Sequence, residues 1–311
     1  MIRVYGLLLL AFSASFLAAA ADTSSCSFKD IAVAGQRVAV LCEEDQVFVS
    51  DDQAATWQSK PLPPDTKYRA IDFLDAKRGF VIGDKGIMLA TEDGGNTWRP
   101  AKVPTVENLM DLRFIGEQGW IAGFAGVVLH SADGGRTWAK QDTGVTQTLE
   151  SIYFTDSNNG WAVGWIGTVI RTTDGGKTWQ KVPMSAMAWS MSSVYFRDAK
   201  DGWIVGFAGQ LLRSRDGGVT WQTQESPFSG WMSSVLFDSA GRGWIAAGND
   251  FLISEDRGET WKLVDVPGTY FLTRLLRVND AVWALGQFGV MRQSGAGKEW
   301  KLIDNILPKA S

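Results

Sequence analysis

The chain has 311 residues, 45% of them apolar and 21% charged, with a formal net charge of −4. That is enough apolar content for a large core, and a pI near 5.2 excludes the basic field that gathers nucleic acid. A single histidine, His130, with no cysteine beside it gives no zinc centre of the Cys/His kind.

Arg3, an apolar run over 4–17 and four alanines over 18–21 read as a secretory signal peptide, residues 1–21. The run is too short to span a bilayer comfortably. Its removal takes the formal charge from −4 to −5 and leaves 22–311 as one domain, periplasmic or secreted. Cys26 and Cys42 suit an exported protein and fall on strands expected to be neighbours. They are a candidate disulfide, closing a loop of about 15 residues worth roughly 3 kcal/mol. Lipidation at Cys26 is the alternative, and polar Thr23, Ser24 and Ser25 speak against it.

From residue 50 onward a motif, Ser/Thr-x-Asp-x-Gly-x-Thr-Trp, recurs roughly every forty residues, the mark of a repeat architecture. Clear copies span 91–98, 131–138, 172–179, 214–221 and 254–261. Eroded copies span 50–57, with Ala54 where glycine is expected, and 294–300, one residue short. The repeat ending at Trp179 shows the parts. Residues 151–154 alternate as a half-buried strand does, 161–164 and 168–171 are two further strands, Asp174-Gly175-Gly176 is a tight hairpin signal, and 178–181 is the fourth strand. Four short antiparallel strands, repeated seven times, predict an all-β fold, a seven-bladed β-propeller. Its blades fall at about 26–60, 67–101, 107–141, 148–182, 190–224, 231–264 and 271–304. The motif resembles the Asp-box (BNR) repeat. Asp93, Asp133, Asp174, Asp216 and Asp256 then fasten turns by accepting backbone N–H groups; a fold device is needed in every blade, a catalytic carboxylate only once.

Periodicity also accounts for most of the tryptophans. Seven close the repeats, and Trp120, Trp161, Trp203, Trp244 and Trp283 share the start of the second strand, a place Phe80 holds in another blade. Trp165, Trp189 and Trp231 remain. In a four-stranded meander the loop between strands 2 and 3 and the blade-to-blade connection share the end opposite the Asp boxes. All three tryptophans fall there, with Phe124, Phe207 and Phe288 in 2–3 loops and Tyr68, Phe228, Tyr270 and Phe271 in connections, alongside Met184, Met187 and Met232. Loops are normally polar, so this set is a candidate binding face; rings folded inward to plug the channel are the alternative. Arg69, Arg113, Arg171, Arg213, Arg274, Arg277 and Arg292 sit in or beside strands, as a candidate basic patch near the channel or as ordinary partners of Asp72, Asp111 and Glu150.

No nucleophile elbow or phosphate-binding loop is present, and no cofactor is expected. Asp-box propellers include sialidases and other glycoside hydrolases. The sialidase Arg-Ile-Pro motif is absent, sialidases have six blades, and Glu107, Asp111 and Glu150 do not resolve into an acid/base pair by sequence. The combination of 160–167 (GWAVGWIG) with 172–179, repeated as 202–209 (GWIVGFAG) with Ser214 and Asp216, is narrower than the Asp box. It resembles the photosystem II stability/assembly factor family across essentially all of 22–311. The resemblance implies an exported seven-bladed propeller without known enzymatic chemistry, which helps assemble a membrane complex by holding one of its subunits through a basic patch. Here the arginines are scattered and the mature chain is acidic, so the client is expected to differ. The reading is a non-catalytic scaffold or assembly factor that binds a membrane-complex or transporter subunit through the aromatic face. A glycan-binding or glycoside-hydrolase propeller is the alternative.

Overall fold

In the computed structural model the chain is described at residues 26–43, 45–64, 66–184, 190–265, 271–278, 281–287, 289–293, 300–303 and 306. Twenty-eight strands form seven four-stranded antiparallel sheets, each made of four consecutive strands. The seven first strands, Phe28–Ala34, Tyr68–Phe73, Leu109–Ile115, Leu149–Phe154, Met191–Phe196, Met232–Phe237 and Leu272–Val278, touch in succession, and the last touches the first. They therefore line a central channel, and the ring closes with no exchanged strand. Among the described residues, the one departure from strands and turns is a single 3-10 turn in the 2–3 loops of four blades, Asp84–Gly86, Phe124–Gly126, Trp165–Gly167 and Phe207–Gly209.

Aromatic rings join the blades. A phenylalanine near the end of the inner strand packs on the second-strand ring of the preceding blade: Trp120 stacks on Phe154 and Trp161 on Phe196, both with centroids 3.7 Å apart, and Trp203 meets Phe237 tilted at 4.2 Å. In five repeats the closing tryptophan meets the inner-strand phenylalanine edge-on, as Trp179 meets Phe154 at 6.0 Å, whereas Trp300 stacks on Phe251. Trp120, Trp203, Trp244 and Trp283 are wholly enclosed, whereas Trp179 is half-buried. The glycine before the second-strand tryptophan has a steric cause. A Cβ on Gly160 would lie 2.3 Å from the Phe154 ring.

Inner-strand side chains fasten every junction a second time. The N–H groups of Ile71, Phe114 and Ile152 donate to Asp30, Asp72 and Asp111 of the blade before (3.0, 2.9 and 2.9 Å). The Tyr153 and Tyr195 hydroxyls donate to the carbonyls of Phe196 and Phe237 (3.1 and 3.2 Å), and the Leu275 N–H donates to Ser234 (3.1 Å). The Thr273 hydroxyl donates to the Phe28 carbonyl at 3.3 Å and closes the circle. Arg274 spans the channel to Asp30 at 3.2 Å and Asp111 at 3.1 Å. One guanidinium serves two carboxylates. Burial pushes Asp30 up to about 6 against the pull of Arg274.

The repeated turns are held from within. At the third blade the Ser131 hydroxyl donates to Asp133 (2.8 Å) and accepts from the Gly135 N–H (2.8 Å). The Thr137 N–H and hydroxyl donate to the two oxygens of Asp133 at 2.9 and 2.6 Å. The Thr137 hydroxyl, then its N–H, then Ser131 hold the Asp133 carboxyl down at about 2. The eroded copy keeps the arrangement. Thr56 donates twice to Asp52, and Ala54 adopts a left-handed φ of 72° where Gly95 has 88°. Cys26 and Cys42 form a disulfide, Cα atoms 5.8 Å apart, within an apolar cluster shared by blades one and seven.

Trp120→Ala should lower the free energy of unfolding by about 3–5 kcal/mol, and half-buried Trp179→Ala by less; urea titrations check both, and an unchanged midpoint for the first contradicts the stacking account. In acid, two groups of aspartates act with opposite sign. Asp133 has a folded pKa below the ordinary value of about 4, so its contribution is lost as pH falls from about 4 through about 2. Asp30 has a folded pKa above its unfolded one, so stability declines as pH rises from about 4 to about 6. Thermal melts across this range should show Asp30→Asn removing the decline and Asp133→Asn flattening the acid limb. An unaltered profile in Asp30→Asn contradicts the assignment.

Candidate functional site

The end of the channel opposite the repeated turns is built by one irregularity, seven times over. In each blade the pairing of the first two strands skips the inner strand's second residue. The skipped residues are Lys29, Arg69, Met110, Glu150, Ser192, Ser233 and Thr273, and such bulges turn a side chain out of the ladder. All seven line the mouth of a cavity of about 760 Å³, together with Phe207, Trp231 and Phe271 and, beneath them, Asp30, Asp111 and Arg274. Opposite charges at the mouth pair off. Lys29 meets Glu43 at 2.7 Å, and Arg69 bonds Asp84.

The 3-10 turns set the aromatic rings beside this mouth. The Trp165 N–H donates to the Thr148 carbonyl (3.0 Å), and the Thr168 N–H closes the turn onto the Trp165 carbonyl (3.1 Å). That leaves the Trp165 ring 44% exposed. Its indole N–H donates to Glu150 at 2.5 Å, and the ring lies 5.9 Å from Phe124. Burial raises the Glu150 carboxyl, while the indole bond and Arg69 pull it down. Trp231, 39% exposed, donates to the Ser192 hydroxyl at 2.6 Å and lies 5.2 Å from Phe271. Phe207 is 52% exposed. An arc of rings therefore runs from blade three to the connection before blade seven, interleaved with polar anchors.

Some of the expected face is placed elsewhere. Tyr68 is enclosed as the first inner-strand residue of its blade, its hydroxyl donating to the Pro63 carbonyl at 2.9 Å, so it belongs to the core. Met232, also an inner-strand residue, is wholly enclosed. Phe228 is half-buried and packs on the core between blades five and six, and Met184 packs on that between blades four and five. Trp189, Tyr270, Phe288 and Met187 lie outside the described residues.

The arginines do not gather into one patch. Arg69 and Arg274 are held by carboxylates at the mouth. Arg113 lies deeper in the channel, over the Tyr153 ring at 5.7 Å. Arg213 lies on a third strand, between Asp201 (3.3 Å) and Glu259 (3.1 Å) and over the Trp203 ring. Arg171 and Arg292 also sit on third strands, facing Trp161 and Trp283 across the sheet. Third strands lie outside the channel-lining ring, which separates these three from the others. His130 bonds Gln118 at 2.8 Å and lies beside the Trp120 ring. No grouping of three metal-ligating side chains occurs among the described residues. The bulged ring escaped sequence reading; its only trace is a broken alternation, as in Leu149-Glu150-Ser151-Ile152.

Comparison with known proteins places this architecture. A family model described as Photosynthesis system II assembly factor YCF48 matches residues 49–144, 137–225 and 181–305. The chain is 36% identical over 64 residues to the chloroplastic photosystem II stability/assembly factor HCF136 of Cyanidioschyzon merolae, covering 20% of this chain and 15% of that protein. It is 30% identical over 81 residues to the photosystem II assembly lipoprotein Ycf48 of Prochlorococcus marinus, covering 25% and 23%. These matches span under a quarter of the curated relatives' lengths. The fold is shared more widely. YCF48 from Cyanidioschyzon merolae superposes with a TM-score of 0.72 over 86% of this chain and 95% of its own, at 18% identity. A YCF48 bound to a D1 peptide superposes at 0.66 over 79% and 83%, at 22% identity. With matches running from residue 49 to residue 305, the chain belongs to the YCF48 photosystem II assembly-factor family.

Proposed function

We propose that this protein is a non-catalytic assembly factor which binds a protein subunit of a membrane complex at the aromatic end of its channel, after export to the periplasm or beyond. The observation that carries the reading is the exposure of Trp231, Phe207 and Phe271 around one cavity. Exposed rings beside a concave mouth are the usual anchors of protein recognition. The family lends support, since its relatives are named as assembly factors and one solved member holds a D1 peptide. Lys29 and Arg69 at the mouth are already paired with carboxylates, so the rings supply much of the free contact surface.

A glycan reading draws on one feature, the raised carboxyl of Glu150 beside the exposed Trp165 ring. A second carboxylate is harder to supply, because Asp30 and Asp111 are tied to Arg274. Hydrolysis of a screened polysaccharide that disappears in Glu150→Gln would replace the assembly reading with that one.

Capture from envelope extract tests the proposal. Trp165→Ala combined with Trp231→Ala should lose a membrane-complex subunit that the unaltered chain retains, with the melting temperature little changed. Equal recovery of every partner by both proteins contradicts it.

A further inference from the structure

The cavity does not account for every apolar side chain at this end. Of ten exposed large apolar side chains among the described residues, six lie here. Phe207, Trp231 and Phe271 line the mouth; Trp165, Ile166 and Val106 do not. Ile166 and Val106 are 79% and 80% exposed. Ile166 also holds a left-handed backbone, φ 54° and ψ 44°, where a β-branched residue is an outlier that costs free energy. The same position is Lys85, Ala125 or Ala208 in the neighbouring turns. Nothing in the packing is gained by placing isoleucine there.

The shape of this end says what covers these tips. Repetition sets the equivalent turns of blades two to five at one level around the ring. Val106 joins them through Gly86, whose Cβ would lie 3.1 Å from the Val106 Cα. Four blades present such a tip at this end, and a bilayer is flat enough to meet several of them together, where a protein pocket would take one. Tryptophan suits the bilayer interface, with an apolar body and one polar N–H. Lys85 occupies the equivalent turn of blade two, and Lys67 precedes that blade's inner strand. Lys85 lies at the edge of the apolar arc, where headgroup phosphates would stand, while Lys67 lines the cavity beside Glu43.

We propose that Val106, Trp165 and Ile166 rest in the headgroup region of a lipid bilayer, so that this end of the propeller faces a membrane. The inference is independent of which protein occupies the cavity. Flotation of the full chain with phosphatidylcholine vesicles tests it, using Ile166→Asn, because asparagine tolerates the left-handed turn. The melting temperature should hold or rise while vesicle partitioning falls about tenfold. Trp231→Ala should leave flotation nearly unchanged and reduce capture of the protein partner, which separates this proposal from the preceding one. Absence of flotation by the unaltered chain, or equal flotation by Ile166→Asn, overturns it. So does an Ile166→Asn variant that loses a captured protein while vesicles are ignored throughout, since that outcome assigns the tips to a protein pocket.

Discussion

Each blade of this propeller must hold the next, because four short strands cannot bury both faces of their sheet alone. The junction is made twice. A ring stacks on a ring, as Trp120 does on Phe154, and an inner-strand side chain bonds the backbone of the following blade. The second contact recurs at all seven junctions, although its chemistry changes from aspartate to tyrosine to serine to threonine. Polar side chains facing a channel are expensive unless bonded, and here the neighbouring backbone satisfies them. The channel wall is therefore rigid and mostly self-satisfied, and the bulges that follow it round carry side chains out to the mouth.

That division separates structure from recognition. The end with the repeated turns is occupied by its own hydrogen bonds, as Ser131, Asp133 and Thr137 show. The opposite end keeps rings that the junctions do not use. Trp165 and Trp231 are each anchored through the indole N–H, to Glu150 and Ser192, so their faces are presented in fixed orientation. Preorganised aromatic surface loses little entropy on binding.

Much of this was legible in the chain because it is periodic. The spacing of Trp98, Trp138, Trp179, Trp221 and Trp261 announces the blades, and loop parity assigns each remaining residue to an end. What stayed hidden depends on register or on ring closure. Tyr68 reads as a connection residue, and only its pairing with Gly83 shows it to be the first residue of an inner strand. Arg274 reads as a cation near the channel with Asp111 among its candidate partners, but its second partner Asp30 comes from blade one, which only ring closure sets beside blade seven. The skipped residues, Glu150 among them, follow from a one-residue slip that no local propensity records. Ile166 looks like an ordinary apolar residue until its φ is known.

The central claim is that recognition belongs to the aromatic end and not to the end that carries the repeated turns. Phe207 and Val219 are comparably exposed, at 52% and 49%, on opposite ends. A photo-crosslinking amino acid placed at each position in turn, in the native envelope, compares them directly. The account predicts a membrane-complex subunit joined to the chain from position 207 and not from position 219. The same adduct from 219, with none from 207, would contradict it.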